Sequence, residues 1–228
     1  AHSDRVTGVT ADITDPRSIA DAVDAVEKQW GPIGILINNA AVDPKVGNDD
    51  GGGGDRLTRL EHFPLANWQR ELDVGLTGTF LCCQIMGSAM AARGGGVILN
   101  ISSDLGIIAP DQRLYQKPGA ATQPVKPITY SAVKHAVIGI TRYLATYWAP
   151  KGVRVNTLTL AGVFNRQDER FLQNYTARMP MGRMADPDEY NGAIVFLCSE
   201  RAAYITGTVI PIDGGLMPEH PSLLLRIG

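Results

Sequence analysis

Two hydrophobic periods alternate along the chain. Short strand-like runs, Ile33–Ile37, Val97–Ile101, Val153–Leu160 and Val209–Ile212, are separated by longer helix-like stretches. This alternation suits a parallel sheet with helices laid over both of its faces. Val6–Asp12 reads as the end of one more strand. Asp15-Pro16 then opens a helix, with Asp15 as N-cap and Pro16 in the first turn. It runs to about Trp30, where Gly31-Pro32 stops it. Further helices are expected over Leu65–Ala92 (Asn67 a candidate N-cap), Thr129–Trp148, and Pro187–Ser199 behind Asp186. Residues 164–184 read as a loop with short helices, and Asp213-Gly214-Gly215 as a turn.

Two segments follow neither period. Residues 44–60 contain Gly47-Asn48-Asp49-Asp50 and then Gly51–Gly54, the composition of a mobile surface loop. Residues 104–129 carry Pro110, Pro118, Pro124 and Pro127; so long an irregular stretch within a compact domain points to function. Both read as insert loops in a single domain spanning 1–228, without internal repeats.

Composition narrows the class. Charged residues are 19% and hydrophobic ones 44%, the balance of a globular chain, and the net charge of −2 gives no reason to expect a nucleic-acid partner. Cys82, Cys83 and Cys198 read as reduced core thiols, and His2, His62, His135 and His220 have no ligand-like spacing, so no metal site is expected. No apolar run reaches the ~18 residues of a membrane span and no signal peptide opens the chain, which sets a cytoplasmic expectation.

The strongest chemical signal is Tyr130-Ser131-Ala132-Val133-Lys134. On a helix this spacing sets the phenol and the ammonium on one face. A free Tyr titrates near ~10, so drawing it to neutrality takes about 3 units, or ~4 kcal/mol, which a neighbouring cation and burial can share. By itself the pair also fits a solvated helix surface.

The order of the remaining motifs gives the pair its context. Asn38-Asn39-Ala40 ends one strand and Asn100-Ile101-Ser102-Ser103 the next. Tyr130 and Lys134 open the following helix, and Arg154-Val155-Asn156 lies on the strand after it. Gly182-Arg183-Met184, Thr206-Gly207 and Asp213-Gly214-Gly215 complete the series. This order resembles the short-chain dehydrogenase/reductase family from about residue 6 to residue 216. Segment 104–129 is similar to that of a subgroup near flagellin- and polysaccharide-modification oxidoreductases.

The resemblance implies an α/β fold with a Rossmann-type doubly wound parallel sheet, a bound NAD or NADP, and hydride transfer between the nicotinamide and a secondary alcohol or ketone. A sugar or polyol derivative would suit the polar residues Asp111, Gln112, Arg113, Tyr115 and Lys117. By position, Tyr130 would be the general acid/base. Lys134 would lower its pKa and hold the nicotinamide ribose, and Ser103 would orient the substrate oxygen. Ser103 is preferred to Ser102 from its register with Gly106. Asp12 and Ile13 would sit at the adenine edge, Asn39, Ala40 and Ala41 on the cofactor floor, and Gly162, Val163 and Phe164 over the carboxamide. Phe164 reads equally well as core packing. Asn38 reads as a tie between strands, and Ser102 as a hydroxyl satisfying backbone. The family also implies a homodimer or homotetramer through helices 65–92 and 129–148.

Departures from the family pattern leave two readings open. The opening strand, glycine-rich loop, helix and second strand are not found, so the sheet is expected to be N-terminally truncated, with its first two strands and first helix missing. Gly51–Gly54 follows no strand and opens no helix, and cannot replace that loop. Gly75 stands where the family has an Asn that helps relay protons, Ala161 where Pro is usual, and Gly34 where Asp is usual. The chain is then either part of a longer, ordinary enzyme with poor dinucleotide affinity of its own, or a catalytically silent homologue serving as a binding or assembly subunit.

Overall fold

A computed structural model describes residues 5–42, 46 and 54–219 of the chain. Its centre is a parallel sheet of four strands lying side by side in chain order: β1 (Ile35–Asn38), β2 (Gly96–Ser103), β3 (Val153–Leu160) and β4 (Val209–Ile212). β2 and β3 pair over their full length, from Gly96 beside Val153 to Ser103 beside Leu160. Both strands are buried on both faces, which is why Val97–Leu99 and the Val and Leu positions of β3 are apolar on either side.

The helices divide between the two faces. Three pack on one side: α1 (Pro16–Trp30), α2 (Leu65–Arg93) and α3 (Ile128–Trp148). Their core joins Ile19, Cys83, Met90, Ala145 and Trp148 to Leu36, Ile98 and Val155 of the sheet. The other face packs Leu99, Ile101 and Leu158 against Leu197 of α5 (Asn191–Cys198). Between β3 and α5 lies α4 (Glu169–Thr176), capped by the Asp168 side chain, which accepts from the Phe171 amide. Asp15 caps α1 as expected, accepting from the Arg17 amide.

A buried polar chain ties strands to helix. Asn38 Nδ2 donates to Asn100 Oδ1 at 2.8 Å, Asn100 Nδ2 donates to Thr141 Oγ1 at 2.8 Å, and Thr157 Oγ1 donates to the same Thr141 oxygen at 2.6 Å. Asn100, Thr141 and Thr157 are fully buried, so each needs these partners.

Several sequence expectations are corrected. Val6–Asp12 is not a strand: it is exposed, finds no strand partner among the described residues, and is tied instead to α1, where Trp30 Nε1 donates to Thr7 Oγ1. β1 is not buried on both faces. Leu36 faces the core, but Ile35 and Ile37 are 48% and 42% exposed, since no described helix covers their side of the strand. Asn67 is not the cap of α2. Pro64 occupies that position in extended backbone, three residues earlier, and its carbonyl accepts from the Asn67 and Trp68 amides; the helix itself starts at Leu65 as expected. Asp186 does not cap α5, which begins at Asn191 after a turn. There the Glu189 carboxylate reaches back to the Asp186 amide while Arg183 grips it. Residues 43–45 and 47–53, most of the first insert loop, lie outside the described residues, and 54–62 hold two short helical turns.

α2 carries π-helical turns at Asp73–Gly78 and Cys83–Gly87. Its glycines explain how close it sits to its neighbours. A Cβ on Gly75 would meet Val133 at 2.6 Å, one on Gly78 would meet Ile13 at 2.7 Å, and one on Gly87 would meet the Trp148 ring at 2.5 Å. By length and composition Leu65–Arg93 is also long and apolar enough to cross a membrane, contrary to the reading of the sequence; here it packs against α1, α3 and the sheet.

Candidate active site

At the carboxyl ends of β2 and β3 the sheet opens into a cavity of 1090 Å³. Such crevices are where open α/β sheets bind ligands. Ser103 ends β2 and reaches it from below. Tyr130 and Lys134, one turn apart at the start of α3, reach it from the side, and Gly162, Val163 and Phe164, following β3, form the far wall. Asn39 lines the near edge. The side chains of Ser103, Tyr130 and Lys134, far apart in the chain, therefore face one space.

Within that wall the Lys134 ammonium is 5.7 Å from the Tyr130 ring centroid and donates to the Ile101 carbonyl at 3.0 Å. Lys134 is buried, which fixes its long side chain. Ser103 Oγ donates to Asp104 Oδ1 at 2.5 Å and accepts from the Leu105 amide. Ser102 also borders the cavity, but its hydroxyl is taken up by the Lys134 carbonyl, to which it donates at 2.8 Å. That bond anchors the start of α3 to the end of β2. Gly106 is required beside it, since a Cβ there would lie 2.4 Å from the Ser102 oxygen. A second buried anchor is the hydrogen bond from Thr129 Oγ1 to Glu71, which joins α3 to α2 next to Tyr130.

Other candidates lie elsewhere. Asp12 and Ile13 are outside the cavity: Asp12 is exposed and accepts from Thr14, which lowers its pKa, and Ile13 packs on Gly78. Ala40 and Ala41 are exposed beyond its edge. Phe164 is 44% exposed and lines the cavity, so it is not core packing.

Some residues that shape the site were not singled out from the sequence. Asp104 is buried, and burial pushes its carboxyl pKa up against the opposing pull of Ser103 and the Leu105 amide. Tyr175 Oη accepts from the Gly162 amide at 2.6 Å and holds the far wall in place; burial raises its pKa. Burial likewise pushes Tyr190 up to about 12. Arg178 joins Arg113 on Asp111, which these contacts hold at about 2. Lys126 stands over the Tyr130 ring at 3.9 Å. Only position offered a signal for these: Asp104 follows Ser103, and Lys126 lies four residues before Tyr130.

The nicotinamide end of a dinucleotide fits this cavity. Its volume exceeds what a small substrate needs. The ammonium of Lys134, the hydroxyl of Tyr130 and the amide of Asn39 are the donor set that ribose hydroxyls call for.

Fold and cavity together define a Rossmann-type oxidoreductase. A family model described as enoyl-(acyl carrier protein) reductase matches residues 1–217, and the chain belongs to the short-chain dehydrogenase/reductase family. It is 35% identical over 213 residues to a D-threitol dehydrogenase of Mycolicibacterium smegmatis, covering 91% of this chain and 72% of the relative. A short-chain dehydrogenase of Leptospira borgpetersenii solved with NAD+ is 33% identical, with a TM-score of 0.75 over 91% of this chain and 74% of that one. A gluconate 5-dehydrogenase of Burkholderia cenocepacia solved with NADP and tartrate is 27% identical, with a TM-score of 0.76 over 92% and 74%. The chain is accordingly an NAD(P)-dependent dehydrogenase/reductase of secondary alcohols and ketones.

Proposed function

We propose that Tyr130, Lys134 and Ser103 carry the reaction, and that the substrate is a sugar- or polyol-derived secondary alcohol or the matching ketone. The observation behind this reading is the convergence of the three side chains on one cavity, with Lys134 buried beside the Tyr130 ring. The named activities of the relatives support the substrate class.

In the oxidation direction, Tyr130 Oη as phenolate takes the proton of the substrate hydroxyl while the hydrogen on the carbinol carbon leaves with its electron pair. The nicotinamide supplies the acceptor for that hydride, and in reduction its donor. Lys134 favours the phenolate of Tyr130 by its charge, which suits it to exchange a proton with the substrate. Ser103 binds the substrate oxygen by turning its hydrogen from Asp104 toward the cavity. Asn39, Lys134 and residues 162–164 would hold the nicotinamide end.

We also read the chain as a homodimer or homotetramer working in the cytoplasm. Leu65 and Phe80 of α2 and Tyr143 and Tyr147 of α3 are exposed apolar residues on the two helices that would meet, which supports this reading.

Replacing Tyr130 with Phe keeps the ring and removes the proton carrier. With a panel of polyols and NAD(P)+, kcat should fall by roughly 10²–10⁴, the usual contribution of general acid–base catalysis. Turnover by Tyr130→Phe at the wild-type rate would sink the assignment. No turnover of any alcohol or ketone by the wild type would favour a silent binding subunit.

A further inference from the structure

Ser103 and Asp104 follow one another in the chain, and their side chains share one hydrogen. Ser103 Oγ donates to Asp104 Oδ1 at 2.5 Å, and both residues are buried and line the cavity. Ser103 Oγ also accepts from the Leu105 amide at 3.2 Å, and Asp104 Oδ1 from the same amide at 2.7 Å. A hydroxyl has a single hydrogen to give. While that hydrogen points at the carboxylate, Ser103 offers the cavity a lone pair and no donor.

A proton on Asp104 reverses this arrangement. A carboxylate only accepts, whereas a carboxylic acid carries an O–H of its own. The short separation of the two oxygens serves the bond in either sense. With the acid donating to Ser103 Oγ, the serine hydrogen is released toward the cavity. The groups around Asp104 pull in both directions. Burial and Asp213, beyond β4, favour the acid; Ser103, the Leu105 amide and the Lys126 charge favour the anion. Tyr175 from α4 and Tyr190 ahead of α5 face it as phenols whose own pKa burial raises.

We propose that Asp104 is a positioning residue for the reaction: as a carboxylate it withholds the Ser103 hydrogen from a ketone, and as a carboxylic acid it donates to Ser103 Oγ and turns that hydrogen onto the ketone oxygen. A ketone oxygen only accepts, so its capture is coupled to a proton on Asp104. An alcohol brings a hydrogen of its own and is bound in both states. The inference rests on the reading of Ser103 as the group that holds the substrate oxygen, and deepens it by naming what sets the direction of the serine hydrogen.

L-erythrulose and erythritol test the inference, because they share a four-carbon chain and differ at one carbon, a carbonyl against a carbinol. Binding to the 228-residue chain is followed by chemical-shift titration without dinucleotide, from about pH 8 down to about pH 4, a span that ends at the ordinary carboxyl range. Erythrulose affinity should rise by about fivefold as pH falls through the folded pKa of Asp104, the worth of one hydrogen bond. Erythritol affinity should stay level. Asp111 is held at about 2 and keeps its charge over this span, and among the described residues no histidine lines the cavity. Tyr130→Phe should show the same rise, which sets the phenol aside as its source. Asp104→Asn does not titrate and should bind erythrulose equally at both ends of the span, and Ser103→Ala should lose the rise as well. Thermal melting at each pH confirms that the fold is intact.

A level erythrulose affinity across the span, a rise that survives in Asp104→Asn, or no erythrulose binding at any pH would overturn the inference. Ser103→Ala separates its failure from that of the reading beneath it. Weakened erythrulose binding in Ser103→Ala, with no pH dependence in the wild type, upholds the serine and defeats only the role of Asp104. Erythrulose binding by Ser103→Ala at the wild-type affinity defeats the serine assignment, and the coupling with it.

Discussion

Ser103 gives its single hydroxyl hydrogen to Asp104 Oδ1 at 2.5 Å, and the Leu105 amide donates to the same carboxyl oxygen at 2.7 Å. A substrate oxygen held by Ser103, as proposed, would compete with the carboxylate for one hydrogen. The groups facing Asp104 are Lys126 from the loop, Asp213 beyond β4, Tyr175 from α4 and Tyr190 ahead of α5. Burial outweighs the hydrogen bonds and the cation, so the folded carboxyl binds its proton more tightly than an exposed one.

A pH signature follows from that balance. An acid whose folded pKa is raised contributes its stability below the unfolded value, 3.8 here, and loses it as pH climbs through the folded value. Asp104→Asn keeps the acceptor for Ser103 and Leu105 but does not titrate. Urea unfolding should find the variant more stable than the wild type at pH 7, with the two converging below about pH 4. Parallel stability curves across that range would count against a buried ionisation at this site.

Gly75 cannot be restored to the family's Asn by a single change. A Cβ there would lie 2.6 Å from Val133 Cγ1, on the α3 turn between Tyr130 and Lys134. We expect Gly75→Asn to cost about 1–3 kcal/mol through overpacking, seen as a Tm lowered by about 2–4 °C per kcal/mol in a domain of this size. Adding Val133→Ala should recover part of the loss. A Gly75→Asn variant as stable as the wild type would mean that α2 shifts at its π-helical turn without cost.

Dinucleotide affinity should be poor for the 228-residue chain. The described residues place Gly162, Val163 and Phe164 on the cavity wall proposed for the nicotinamide, but hold no glycine-rich turn between a strand and a helix N-terminus to cradle a pyrophosphate. Fluorescence titration with NADH and NADPH should give a Kd on the order of 1 mM or weaker, about 4 kcal/mol of binding. Micromolar binding of either would show that the cavity residues suffice.

Much of the architecture was legible in the chain because it depends on local rules. β2 and β3 are buried on both faces, and a strand in that setting is rich in apolar residues, its buried polar ones such as Asn100 and Thr157 being hydrogen-bonded. Asp15 and Pro16 mark the start of α1 by cap chemistry that needs only neighbouring residues. The spacing of Tyr130 and Lys134 set them on one helical face, whatever the rest of the molecule does.

Other features depend on what each segment meets. Val6–Asp12 has a strand's composition and, among the described residues, no strand beside it, and backbone pairing needs a partner that composition cannot supply. Ile35 and Ile37 have core-like side chains on a face that no described helix covers. The glycines within the π-helical turns of α2 sit against Val133, Ile13 and Trp148, neighbours brought there across the fold. At the candidate site, residue types and order named Ser103, Tyr130 and Lys134. Tertiary packing alone brought Asp104 into competition for the Ser103 hydrogen and held Lys126 over the phenol. Proton affinity and charge at a buried point are set by burial and by neighbours distant in the chain, and those distances exist only once the chain has folded.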